Sequence, residues 1–139
     1  MKGELLHTIE NLHNTSIFGI RIFENILATA GSSGSIKFHQ IDEKSEPKLI
    51  HEENGYGFAH LDNDENKLIS GSINGEIVVW NFKTREKLGS INASQRIMSL
   101  VVKWPIVVTC TMEFVIEDEG IKIFDMEKLV LLRYSVSRD

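Results

Sequence analysis

Apolar and polar residues form alternating blocks from Leu68 to Phe82, where the sequence reads LISGSINGEIVVWNF. The first apolar block ends at a Ser/Gly break. It is followed by Asn74-Gly75, a pair that tolerates the positive φ of a tight turn. Apolar residues then run without interruption from Ile77 to Trp80, which is typical of a strand covered on both faces. The pattern predicts a β-hairpin.

The same pattern occurs twice more in the chain. It runs upstream from Ile26 to Gln40 (ILATAGSSGSIKFHQ) and downstream from Val107 to Met126 (VVTCTMEFVIEDEGIKIFDM). Aligning the apolar runs gives offsets of 41 and 44 residues. A strand-like segment precedes each hairpin and another follows it, so each unit has four short strands. The sequence therefore predicts an all-β chain with three units, at residues 16–53, 55–92 and 96–136, and one additional outer strand at 3–9.

Four-stranded units with a period of about 40–45 residues are typical of β-propeller blades of the WD40 type. The segment SGSINGEIVVWN resembles the WD40 pattern S-G-S-x-D-G-x-I-x-x-W-D, with Asn74 in place of the turn aspartate. GIKIFD resembles the same ending, with Phe124 for the tryptophan, and GSIKFHQ is the most divergent copy. GELLHTIENLHNTSI resembles the outer strand and Gly-His loop, with His13 at the motif histidine. The resemblance implies three four-stranded antiparallel blades, too few for a closed ring in one chain.

In this family, a loop histidine, a strand hydroxyl, a turn aspartate and a tryptophan form a hydrogen-bonded network within a blade. Neither of the first two units has the aspartate, so we expect weaker networks than in a consensus repeat. The positions that the resemblance assigns to the network are His13, Thr29, Ser33 and His39 in blade one, His51, Ser70, Asn74 and Trp80 in blade two, and Phe124 and Asp125 in blade three.

An open arc of three blades would expose the apolar faces of its end blades. We expect exposure of Leu100, Val102, Ile22 and Phe23. Either the chain is a fragment or truncated form of a longer propeller, or two copies associate to make six blades. The fragment interpretation is favoured because the outer strand at 3–9 brings the strand count one above three complete blades.

Composition excludes several classes of protein. The chain has 139 residues, a net charge of −5 and one cysteine. It shows no Lys/Arg cluster of the kind that binds nucleic acid, and no apolar run long enough to span a membrane. Without a signal-peptide pattern or paired cysteines, the expected location is intracellular, cytoplasmic or nuclear. Cys110 is expected to be a buried, inert thiol.

No constellation of residues predicts an enzyme. GSSGS at Gly31 lacks the lysine and the helix of a phosphate-binding loop, and we interpret it as a blade turn. The acidic run at 117–119 is interpreted as a solvated loop, and no Cys/His spacing matches a zinc site. The five histidines are scattered along the chain. No catalytic residue, cofactor or metal is expected.

The predicted function is a non-catalytic scaffold that binds a peptide or protein partner through loops at the propeller rim, because a rigid scaffold positions such loops for binding. Arg96 would be the main contact for a phosphorylated or acidic peptide. The alternatives are a structural half-propeller that self-associates, and a fragment with no independent activity. The candidate partner-binding residues are Arg96, Tyr56, Gln95, Asn14, Thr15, Glu53, Asn54 and Arg21.

Overall fold

The computed structural model describes residues 3–55, 59–93, 96–111 and 120–135. Twelve β-strands lie within these ranges and are grouped in three antiparallel sheets. Blade one contains β1 (Ile17–Phe23), β2 (Ile26–Gly31), β3 (Ile36–Gln40) and β4 (Lys48–Glu53). Blade two contains β5 (Ala59–Asp64), β6 (Lys67–Ser72), β7 (Glu76–Asn81) and β8 (Lys87–Asn92). Blade three contains β9 (Ile97–Lys103), β10 (Ile106–Thr111), β11 (Gly120–Asp125) and β12 (Val130–Ser135).

The predicted hairpin at the centre of the chain is confirmed. Strands β6 and β7 pair antiparallel, and Leu68 lies opposite Trp80. The backbone N–H of Gly75 donates to the carbonyl of Ser72 at 3.0 Å, and Gly75 has a φ of 90°. A side chain would be strained at that φ, which explains why glycine follows Asn74. The residues from Ile77 to Trp80 are all buried, as the unbroken apolar run predicts.

Two apolar clusters hold the blades together, and each lies between neighbouring blades. We call the side of a blade that meets the next blade its forward face, and the opposite side its rear face. The first cluster joins the forward face of blade one to the rear face of blade two: Ile26, Ala28, Ala30, Ile36 and Phe38 against Leu61, Leu68, Val78, Trp80 and Phe82. The second joins blades two and three: Ile69, Ile77, Val79 and Ala93 against Ile97, Leu100, Val107, Phe124 and Met126.

The open ends differ in part from the predicted exposure. Ile22 is exposed, as expected, but Phe23 and Val102 are half-buried and Leu100 is buried. The prediction for Leu100 was wrong because this side chain points back to blade two, where it packs beside Gly71. Residues 3–9 form no strand within the described chain, and their role as the outer strand of another blade stays a prediction.

Candidate functional site

Blade two contains the hydrogen bond that ties the third strand of the blade to the second. The indole Nε1–H of Trp80 donates to the hydroxyl of Ser70 at 3.0 Å, and both residues are buried. At the turn, the Ser72 hydroxyl bonds to the side-chain oxygen of Asn74, and the backbone N–H of Glu76 donates to the Ser72 hydroxyl at 3.1 Å. Asn74 thus bonds within its turn, as a neutral substitute for an aspartate.

Blade one builds its network around His13. Nε2 of His13 lies 3.0 Å from the hydroxyl of Thr29, which occupies the position of Ser70 in blade two. Nδ1 lies 2.8 Å from the hydroxyl of Ser35. The predicted partner Ser33 is instead at the rim, where its backbone N–H donates to the Thr15 hydroxyl at 3.1 Å. Ser35 replaces it because Ser35, which is itself buried, lies beside the start of β3.

His39 occupies the position of Trp80, and the surrounding protein favours its neutral form. It is buried, and no partner among the described residues bonds to its Nδ1. Burial lowers the pKa of His39, and the charge of Lys37 lowers it further. The pKa of His13 is also lowered, mainly by burial and next by Lys37, while Glu52 acts in the opposite direction. The ammonium of Lys37 donates to the carbonyl of Leu12 at 2.5 Å.

The assignment of His51 to the blade-two network differs from the structure. His51 lies on β4 of blade one, where its Nε2 is 3.0 Å from a carboxylate oxygen of Glu53 and its ring is 5.8 Å from that of Phe38. The offset of 41 residues places Asn54, not His51, at the position equivalent to His13. His51 therefore lies three residues before the position that the repeat register requires.

The described residues of blade three form no such network. Phe124 is buried at the tryptophan position, and its side chain has no N–H to donate. Thr109, at the position of Ser70, is fully buried, and the described residues offer its hydroxyl no hydrogen-bond partner. Asp125 ends β11 and accepts the backbone N–H groups of Glu127 and Lys128 at 3.0 Å each, which stabilises the turn that follows.

Some of the predicted rim residues lie within the described ranges, and others lie outside them. Asn14, Thr15, Asn54 and Arg96 are exposed at the end of the blades where the chain enters its innermost strands, and Glu53 is half-buried there. Tyr56 and Gln95 lie outside the described residues. The structure therefore brings part of the predicted set to one rim.

A cavity of about 220 Å³ opens at this rim, at the junction of blades two and three. Ile73 comes from the β6–β7 turn, Arg96 and Ile97 from the start of β9, and His60 from β5; Met98 completes the lining. Burial lowers the pKa of His60, so near neutral pH this ring is uncharged. The arrangement combines an apolar floor with one guanidinium, which suits an anionic group that carries an apolar neighbour.

Arg21 makes contacts between blades. Its Nε–H donates to the carbonyl of Leu61 at 3.2 Å, and its Nη2 lies 3.2 Å from Oδ1 of Asp62. Oδ2 of the same aspartate accepts the backbone N–H of Val102 in blade three at 2.8 Å. These contacts stabilise the arc, and the partner-binding role of Arg21 stays a prediction.

The prediction that Cys110 is buried was wrong. It is exposed rather than buried. The equivalent residues Ala30 and Gly71 are buried because the next blade covers them. Cys110 is on the forward face of the last blade.

A larger cleft, of about 530 Å³, separates the amino-terminal segment from the rear of blade one. Leu5, Leu6 and Ile9 line one side, and Leu27 and Ile41 line the other. In this segment, Nε2 of His7 lies 3.3 Å from the carbonyl oxygen of Glu43. The cleft is an apolar opening at the rear face of the arc.

Within the described ranges, no group of three or more His, Cys, Asp or Glu side chains could hold a metal ion. Nor does any helix in that part of the chain have the length and apolarity needed to cross a membrane.

Repeated four-stranded antiparallel sheets, packed face to face, define a β-propeller architecture. No protein-family model matches the chain. It is 30% identical over 106 residues to histone acetyltransferase type B subunit 2 of Eremothecium gossypii, a match that covers 73% of this chain and 25% of that protein. The chain thus spans about a quarter of the length of this curated relative.

Solved structures share the fold. The computationally designed Ika4 protein superposes with a TM-score of 0.79 at 25% identity, over 96% of this chain and 80% of that one. The WD40 domain of Toxoplasma gondii coronin superposes with a TM-score of 0.72 at 19% identity, over 90% of this chain and 35% of that one. The chain is therefore a WD40-type β-propeller chain, and its three described blades do not close a ring.

Proposed function

We propose that the protein is a non-catalytic interaction scaffold that binds an anionic segment of a partner protein at the rim cavity between blades two and three. The observation that carries this proposal is the cavity itself, in which Arg96 is placed beside Ile73, Ile97 and Met98. Since the lowered pKa of His60 leaves that ring neutral, Arg96 supplies the positive charge of the lining.

The similarity to a histone acetyltransferase subunit supports a role in a protein assembly. An intracellular location, cytoplasmic or nuclear, is part of the same proposal. Because WD40 blades supply rigid loops rather than a reaction centre, we do not expect turnover of a substrate.

The test is binding of labelled peptides by fluorescence anisotropy. The peptides carry an apolar residue next to glutamate, to phosphoserine or to glutamine. Arg96→Gln should weaken binding of the anionic peptides by about tenfold, corresponding to one charge-assisted hydrogen bond of roughly 1.4 kcal/mol. The glutamate and phosphoserine peptides distinguish an acidic from a phosphorylated partner.

Lys83→Gln is the matched control, because it removes one exposed positive charge from the β7–β8 turn at the opposite rim. Equal losses in the two variants would indicate a general charge effect and refute the site. Unchanged affinity in Arg96→Gln would refute the role of Arg96.

A further inference from the structure

One apolar position on the rear face of each blade is buried in blades two and three but exposed in blade one, at the open end of the arc. The strand registers make Ile20, Leu61 and Leu100 equivalent on the innermost strands β1, β5 and β9. They lie opposite the equivalent residues Thr29, Ser70 and Thr109 of the second strands. Leu61 is 6% exposed and Leu100 is 7% exposed, because the preceding blade covers each of them. Ile20 is 64% exposed at the rear of blade one. The chain thus carries a blade-binding side chain there that no blade within the described arc covers.

The forward faces give the complementary result. Ile36, Ile77 and Ile121 are equivalent on β3, β7 and β11. The first two are fully buried by the next blade, whereas Ile121 is 44% exposed. Cys110 is likewise exposed where its equivalent Gly71 lies against Leu100 and Ile97. The forward face of blade three therefore has the apolar surface of a blade junction, and none of the three described blades covers it.

Charge also matches across the two open faces. At the junction of blades two and three, Oδ2 of Asp64 accepts the backbone N–H of Trp104 at 2.8 Å. The residue equivalent to Asp64 in blade three is Lys103, and the residue equivalent to Trp104 in blade one is Glu24. Both are exposed. If the same junction formed between blade three of one copy and blade one of another, a lysine would meet a glutamate.

We infer that the partner of these faces is a second copy of this chain. The forward face of blade three in each copy packs on the rear face of blade one in the other copy. Two equivalent junctions then close a ring of six blades, within the four to eight that propellers contain. Val101 is equivalent to Asp62 and Ile22 is equivalent to Val102, and both Val101 and Ile22 are more than half exposed. Because Asp62 contacts Val102 at the junction of blades two and three, Val101 of one copy would contact Ile22 of the other. The inference is independent of the rim cavity.

The amino-terminal segment leaves the inner part of the rear face accessible. Its residues 4–9 lie across the 530 Å³ cleft from Leu27 and Ile41, towards the outside of blade one. Ile20 and Ile22 belong to the innermost strand β1 and are exposed. A second copy can therefore reach β1 without displacing this segment.

The first experiment is light scattering of the full chain over a concentration series. A species of twice the 15.8 kDa chain mass is expected. A monomer at every concentration would overturn the inference, and a ladder of larger species would overturn ring closure, because a head-to-tail contact that does not close gives filaments.

A charge swap tests the register. Lys103→Glu alone and Glu24→Lys alone should each raise the dimer dissociation constant by about tenfold, because each substitution places like charges at both junctions. The double variant should return the constant to within about threefold of the original. A double variant as weak as the single variants would overturn the proposed register, and folding defects cannot produce the rescue.

A cross-link tests the apolar contact. Cys110 is the single cysteine of the chain, and Ile20→Cys places a second thiol where Leu100 meets Gly71 at the existing junction. In a glutathione redox buffer, the variant should form an interchain disulfide that survives in a non-reducing gel, with oxidised glutathione taking up the two electrons. Leu88→Cys, at an exposed position on β8, is the control. Equal cross-linking of the two variants would overturn the contact.

Discussion

The buried hydroxyl of Thr109 gives a quantitative test of the network that ties each blade together. Among the described residues it has no hydrogen-bond partner, because Phe124 replaces the tryptophan whose equivalent, Trp80, donates to Ser70. A buried hydroxyl without a partner costs about 1–3 kcal/mol. Thr109→Val removes the hydroxyl and keeps the β-branched shape, so strand preference is nearly unchanged. We expect the variant to be more stable by about 1–2 kcal/mol.

The assay is urea unfolding followed by tryptophan fluorescence at one protein concentration. With an m-value of about 2 kcal/mol per molar urea, the midpoint should rise by about 0.5–1 M. Thr29→Val is the matched control, since that hydroxyl lies 3.0 Å from Nε2 of His13, and the loss of its bond should lower stability by about 1 kcal/mol. If Thr109→Val destabilises the protein as much as Thr29→Val does, the assignment of an unsatisfied hydroxyl is wrong.

The structure also determines the direction in which stability should change with pH and with a substitution at Gly71. The pKa values of His13 and His39 are lowered in the folded protein, so the unfolded chain binds protons more readily. The free energy of unfolding should therefore be at its full value above pH 6.5, the ordinary pKa of histidine, and should fall as the pH drops below 6.5. Urea midpoints at pH 7.5 and 5.5 measure this fall, and His39→Phe should make it smaller. Gly71→Ala should lower the thermal unfolding midpoint, because the added Cβ would lie 2.4 Å from Cδ2 of Leu100. Gly3→Ala is the control and should leave the midpoint unchanged, because no atom lies within 4 Å of its added Cβ. Equal midpoints for the two variants would contradict the tight junction between blades two and three.

Turns and strand periodicity made the blade architecture predictable. The Asn74-Gly75 turn and the apolar run after it determine the hairpin locally, and their recurrence determines the number of units. The WD40 resemblance also identified Thr29, Ser70 and Trp80 as hydrogen-bonding positions, and the structure places all three in such bonds.

Properties that depend on a neighbouring blade were not predictable from one blade's pattern. Cys110 has the sequence context of a buried strand residue, yet it is exposed because its burial requires a following blade. Leu100 was expected at an open face, but it packs on Gly71 of the preceding blade. The cavity at Arg96 was also not predictable from the sequence pattern, since its lining comes from segments that are distant in sequence. Burial at a junction depends on the partner surface as well as on the periodicity.

The carboxylate of Asp62 bonds to blade one through Arg21 and to blade three through the backbone of Val102. Repeat arrays are usually described by the stability of each repeat plus contacts between neighbours. Here one side chain in the middle repeat is shared by both outer repeats. Detachment of blade one from Asp62 therefore frees a group that also orients blade three. We therefore expect unfolding to be coupled across the whole arc, with the three blades melting in a single cooperative transition.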